Sequence, residues 1–136
     1  MGCGSGILAI AMAKRWRIPV IATDIDPIST KVCRVNAKAN GVAKSVQSLC
    51  SPGYGHRRII GKKFGVIASN ILALPLTRLA RDLAHHLAPD GWAILSGLLT
   101  SDANRVLSAH AWQGLKLVER ITIGDWQTLV LSLIHI

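Results

Sequence analysis

Met1-Gly2-Cys3-Gly4-Ser5-Gly6 opens the chain and runs at once into the apolar, alanine-rich stretch Ile7–Ala13. Glycines at alternate positions remove the Cβ atoms that would hold a ligand away from the backbone. A helix beginning directly after them points its free N–H groups at that ligand. The pattern is therefore that of a nucleotide-type binding turn. Such a turn comes straight off a buried strand, and that strand is expected to lie before residue 1.

The residues that follow strengthen this reading. Arg17-Ile18-Pro19 marks a turn, and Val20-Ile21-Ala22-Thr23 is a short buried strand ending in Asp24-Ile25-Asp26. A carboxylate some twenty positions past the glycines, at the end of the second strand, is placed to accept hydrogen bonds from ribose hydroxyls. A dinucleotide fold prefers its third glycine one position further on, where this chain has Ile7. The G-x-G-x-G spacing thus fits S-adenosylmethionine better than NAD. The alternative role for Asp24 is a helix-entry carboxylate, although Asp26 can serve as that cap.

Composition sets outer limits. The 136 residues suit one domain or part of one; half of them are hydrophobic and few are aromatic. No apolar run is long enough to span a bilayer, and no signal-peptide pattern is visible. Cys3, Cys33 and Cys50 form no C-x-x-C pair, which reads as reduced thiols in a cytoplasmic protein. His85 and His86 are helix neighbours that point to different faces, so no metal site is expected. Sixteen basic against seven acidic residues give a net charge of +9. This charge suits RNA, a ribonucleoprotein or an acidic protein surface. It equally suits an ordinary soluble basic domain, because no RNA-binding motif with interleaved aromatics is present.

Helix and strand alternate along the chain, as an α/β sheet requires. Asp26-Pro27 starts a second helix through Val32, Val35 and Ala39, which ends at Asn40-Gly41. Ser45–Cys50 is a third strand, Ser51–Lys63 a Gly- and Arg-rich loop, and Phe64–Ser69 a buried strand ending at Asn70. A helix is predicted to open at Pro75 with Leu76, Leu79, Ala80, Leu83 and Leu87 on one face, stopping near Pro89-Asp90-Gly91. Trp92–Ser96 is the next strand, ended by Gly97. Ser101 is predicted to cap a helix over Val106, Leu107 and Ala111. Leu115–Ile123 and Trp126–Leu133 read as a hairpin turning at Gly124-Asp125. Residues 1–133 are expected to form the binding domain, with residues 134–136 a terminal extension.

Taken together these residues resemble the bacterial ribosomal protein L-eleven methyltransferase family, within the class I S-adenosylmethionine-dependent methyltransferases. The stretches that carry the resemblance are G-C-G-S-G-I-L-A-I-A (Gly2–Ala11), A-T-D-I-D-P (Ala22–Pro27) and N-A-K-A-N-G-V (Asn36–Val42). Later come S-N-I-L-A-L-P-L (Ser69–Leu76), L-A-P-D-G-W-A-I-L-S-G-L-L (Leu87–Leu99) and G-D-W-Q-T-L-V-L (Gly124–Leu131). The likeness covers nearly the whole chain. The glycine turn is common to all class I enzymes, whereas N-I-L-A-x-P-L is far more specific.

The resemblance implies a Rossmann-like sheet of order 3-2-1-4-5-7-6 with the last strand antiparallel, here expected to lack its first strand. It implies that Gly2 touches the amino-acid end of S-adenosylmethionine, that Gly4 and Gly6 shape the turn, and that Asp24 binds the ribose. Asn70 is implied beside the methionine moiety, where the acceptor amine arrives; its plainer role is a turn or cap residue. The implied activity is methyl transfer to lysine or N-terminal amines of a ribosomal protein of the large subunit. The rival expectations are a related enzyme for another protein lysine or a small molecule, and an inactive remnant acting as an interaction domain. The family also carries an acidic residue, a threonine and a substrate-gripping domain upstream of the glycines. Without them the chain is expected to be a poor enzyme. The loop Ser51–Lys63 offers no acidic residue for the adenine.

Overall fold

A computed structural model describes residues 1–133, which fall into two compact units, Met1–Arg57 and a second beginning at Arg58. The terminal extension expected at 134–136 lies outside the described residues.

In the first unit, α1 (Ile7–Trp16) follows the glycine turn, with Gly6 at its N-cap in the left-handed region at φ 88°. It stops where Arg17 also turns left-handed and donates its N–H to the Ala13 carbonyl; Pro19 cannot continue the helix. Strand β1 (Val20–Asp24) then pairs in parallel with β2 (Val46–Cys50), from Val20 opposite Val46 to Asp24 opposite Cys50. Between them runs α2 (Pro27–Ala39), capped as expected. Asp26 Oδ1 accepts from the Ile28 N–H at 2.9 Å, and Pro27 occupies the first helical position. The buried face of α2 is Thr30, Cys33 and Ala37, while Val32 and Val35 face outward. Cys33 and Ala37 pack with Ala9, Ile10 and Ala13 of α1 and with Val20, Ala22 and Val46 of the two strands. Small side chains dominate this core, which lets the helices sit close to the strands.

In the second unit a four-stranded sheet has the order β3-β4-β6-β5, built from β3 (Phe64–Asn70), β4 (Leu87–Leu99), β5 (Leu115–Ile123) and β6 (Trp126–Leu133). Strands β3 and β4 are parallel; β6 runs antiparallel to both of its neighbours. In the seven-strand numbering of the expected sheet, the observed neighbours are 3-2 in the first unit and 4-5-7-6 in the second. Leu83, Leu87, Ala93, Leu95, Leu98, Val106, Leu115, Leu129 and Leu131 are buried.

Four expectations are corrected here. The helix predicted from Pro75 through Leu87 is two helices, α3 (Ala73–Arg78) and α4 (Ala80–His86), separated at Leu79. At Leu79 the backbone departs from α-helical angles, with φ −90° and ψ 2°. Leu87 is buried as expected but belongs to β4, opposite Phe64 of β3. Strand β4 also continues past Gly97: a bulge between Leu95 and Leu98 absorbs the left-handed Gly97, and Leu98 and Leu99 pair with Gln127 and Trp126. Because that strand runs into α5 (Thr100–Ala111), Ser101 lies inside the helix and caps nothing. The N-cap is Leu99, and the Thr100 N–H is satisfied instead by the Asp125 carbonyl at 2.9 Å. The hairpin turn at Gly124-Asp125 stands where it was predicted.

Candidate functional site

The glycine turn is tied to the end of β1 by its backbone. The Cys3 N–H donates to the Thr23 carbonyl and the Gly4 N–H donates to Asp24 Oδ2, both at 2.9 Å. The Gly6 N–H closes the turn on the Cys3 carbonyl at 2.7 Å. Gly2, Gly4 and Gly6 all have positive φ, at 66°, 49° and 88°. Glycine is needed here for conformation first. The amides of Gly4 and Gly6 are engaged within the protein, by Asp24 Oδ2 and the Cys3 carbonyl. Asp24 therefore stands beside the turn, as the sequence predicted, and is half-buried. Its second oxygen, Oδ1, accepts from the Asp26 N–H at 3.0 Å. A carboxylate has about four lone-pair sites, so each oxygen keeps acceptor capacity for a further donor. Ile25, directly after it, is 73% exposed and offers an apolar surface beside that carboxylate.

Cys3 lies within the turn but is a packing residue: it lies against the apolar core of the first unit. Burial, reinforced by neighbouring Cys33, pushes its thiol pKa up to about 12, so it stays protonated and poorly nucleophilic at neutral pH.

In the second unit Asn70 ends β3 at a groove of about 310 Å³. The floor comes from β3 and β4 through Asn70, Ser96 and Gly97; the wall comes from the β5–β6 hairpin through Ile121, Ile123, Trp126, Gln127 and Thr128. A Cβ at Gly97 would collide with Asn70 Oδ1, so glycine at that bulge is what leaves room for the amide. The family resemblance implied Asn70, and its place at the C-terminal end of a strand agrees with that. Sequence reasoning assigned no role to the hairpin. The available signal was Ile121 and Ile123, two apart and hence on one face, followed across the turn by Trp126. His86 is buried with Nδ1 2.8 Å from the Asp82 carbonyl, while His85 is exposed. Among the described residues there is no cluster of three potential metal ligands, and no helix is long and apolar enough to cross a membrane.

Comparison with known proteins shows the family and the fold. The family model described as ribosomal protein L11 methyltransferase (PrmA) matches residues 1–133. The ribosomal protein L11 methyltransferase of Rhizobium johnstonii is 44% identical over 134 residues, covering 97% of this chain and 46% of the relative. That of Agrobacterium fabrum is 45% identical over 131 residues, covering 95% of this chain and 44% of the relative. The chain thus spans slightly less than half the length of these curated relatives. Among solved structures, the ribosomal protein L11 methylase of Lactobacillus delbrueckii subsp. bulgaricus superposes with a TM-score of 0.87 at 32% identity, over 98% of this chain and 67% of that one. An RNA methyltransferase from Salinibacter ruber, solved with S-adenosyl-L-homocysteine, shares the fold at a TM-score of 0.78 and 19% identity, over 98% of this chain and 78% of that one. The fold is that of the Rossmann-like class I methyltransferases, and the chain belongs to the ribosomal protein L11 methyltransferase family.

Proposed function

We propose that residues 1–133 act as one S-adenosylmethionine-binding domain that transfers methyl groups to lysine or N-terminal amines of a ribosomal protein of the large subunit. The observation that carries this reading is the Asp24 carboxylate, fastened to the glycine turn through the Gly4 N–H at 2.9 Å with acceptor capacity left on each oxygen. That arrangement suits a ribose diol. Gly2, with Gly4 and Gly6 shaping the turn, admits the amino-acid end of the cofactor close to the backbone. Bound there, S-adenosylmethionine supplies an electrophilic methyl group on a sulfonium.

The protein's share of the chemistry is then mainly alignment, because displacement at a methyl carbon needs a neutral amine on the line of the breaking bond. Lysine amines are protonated at neutral pH, and α-amines less so. The Ile121, Ile123 and Trp126 wall of the groove disfavours a charged ammonium and can cover the methylenes of a lysine. Asn70 Oδ1 accepts from the amine and orients its lone pair, and Asn70 is proposed to contact the cofactor as well. The net charge of +9 supports work near ribosomal RNA, and three free cysteines support a cytoplasmic setting.

The test is methyl transfer from labelled S-adenosylmethionine to purified ribosomal protein L11, by a longer protein in which these residues follow the family's substrate-gripping domain. Asn70→Ala should lower turnover more than cofactor affinity. Equal rates with equal binding would reduce Asn70 to a residue of the strand end.

A further inference from the structure

The stretch N-A-K-A-N-G-V belongs to α2 and its C-terminal stop, and nothing so far explains its first asparagine. Asparagine is a poor helix former because its amide competes for backbone bonds, and Asn36 sits in the last turn of α2, three residues before its end. Its side chain is not turned back on its own helix. Nδ2 donates to the Ser5 carbonyl at 2.9 Å, a contact across 31 residues of chain to the middle of the glycine turn. One helical turn earlier, Cys33 closes on the same segment: a Cβ on Gly6 would lie 2.6 Å from its Sγ. Asn40, one turn later, donates its own Nδ2 to the Asn36 carbonyl at 2.9 Å.

The turn between Cys3 and Gly6 is thus fixed from two directions. Asp24 and Thr23 hold its first half through the amides of Gly4 and Cys3. Helix α2 holds its second half through the carbonyl of Ser5 and the face of Gly6. A turn whose glycines have positive φ is a permissive stretch of backbone, and external bonds such as these fix its shape.

We propose that Asn36 is a positioning residue for the cofactor turn, acting through the Ser5 carbonyl to hold Gly4-Ser5-Gly6 in the ligand-accepting shape. The proposal rests on the cofactor reading above. Asn36 touches no ligand itself; its work is to remove the alternative orientations of the Ser5 peptide before binding, so that less order is lost when the ligand arrives. Because the amide must donate, the shape of the side chain is not sufficient. An aspartate of the same outline would face the carbonyl with a second acceptor.

The experiment compares the chain with Asn36→Ala and Asn36→Asp by calorimetric titration of S-adenosylhomocysteine and by amide exchange without ligand. Both variants should bind roughly three- to tenfold more weakly, the loss expected for one net hydrogen bond, with Asp no better than Ala. The Gly6 amide should exchange faster by a similar factor, while Ala22 in β1 keeps its rate. Asn36→Asp binding as well as the unaltered chain would overturn the proposal, as would an unchanged Gly6 exchange rate. Failure of the unaltered chain to bind, with the exchange effect intact, would overturn the cofactor reading and leave the brace standing.

Discussion

Gly6→Ala tests whether the glycine turn is held as tightly as the contacts around it require. Two costs can be worked separately. Gly6 has φ 88°, where an L-residue with a Cβ costs about 1–2 kcal/mol. The new Cβ would also lie 2.6 Å from Cys33 Sγ and 3.2 Å from the Cα and Cβ of Cys33. Cys33 is fully buried within the α1–α2–β1 core and cannot swing away, so overpacking adds about 1–3 kcal/mol. The expected total is about 2–5 kcal/mol, a large share of a typical domain's stability. In thermal unfolding that is a fall in Tm of roughly 6–25 °C for a chain of this size. Introducing Cys33→Ala into the variant removes the Sγ clash but not the φ strain. The double-mutant cycle should therefore show a favourable coupling of about 1 kcal/mol or more. A Gly6→Ala protein within about 0.5 kcal/mol of the original, or two substitutions that simply add, would refute the packing argument.

His110 predicts a pH response. It is fully buried, and burial lowers its pKa below the ordinary 6.5. The unfolded chain therefore takes up a proton at a pH where the folded one does not. Stability should be full above about 6.5 and should fall as pH drops toward the folded pKa, by at most about 1.4 kcal/mol per pH unit from this group. Urea unfolding between pH 7.5 and 5 should show this slope, and His110→Gln should flatten it; an unchanged slope in the variant would assign the effect elsewhere. The thiols should also separate. Iodoacetamide at pH 8 should modify exposed Cys50 well before buried Cys33 or protonated Cys3, and early labelling of Cys3 would contradict its packing role.

Elements set by local chemistry were legible in the sequence. Asp26-Pro27 predicted the start of α2, Asn40-Gly41 its end, and Gly124-Asp125 the hairpin, because a cap, a fixed φ and a left-handed turn are each written in one or two residues. The errors came where a distant partner decides. Leu87 matches the helical spacing of Leu76, Leu79 and Leu83, yet its pairing with Phe64 makes it strand. Ser101 looks like a cap, yet the Thr100 N–H finds Asp125 across the hairpin. Gly97 reads as a strand stop, yet the β4–β6 ladder carries on through a bulge. In the site, Asp24 beside the glycine turn was visible from spacing alone. The Asn36 bond to Ser5 spans 31 residues and had no local signature, whereas the hairpin wall of the Asn70 groove was marked only by the alternation of Ile121 and Ile123 and by Trp126 across the turn.

The central claim, that Asp24 and the glycine turn form a cofactor site, is tested most directly by titrating this chain with S-adenosylhomocysteine and with NAD in a calorimeter. The account predicts saturable one-to-one binding of S-adenosylhomocysteine, no comparable heat with NAD, and a loss of roughly 1–3 kcal/mol in Asp24→Ala, where the ribose hydroxyls lose their charged acceptor. Wild-type affinity in Asp24→Ala, or NAD binding as tightly as S-adenosylhomocysteine, would contradict it.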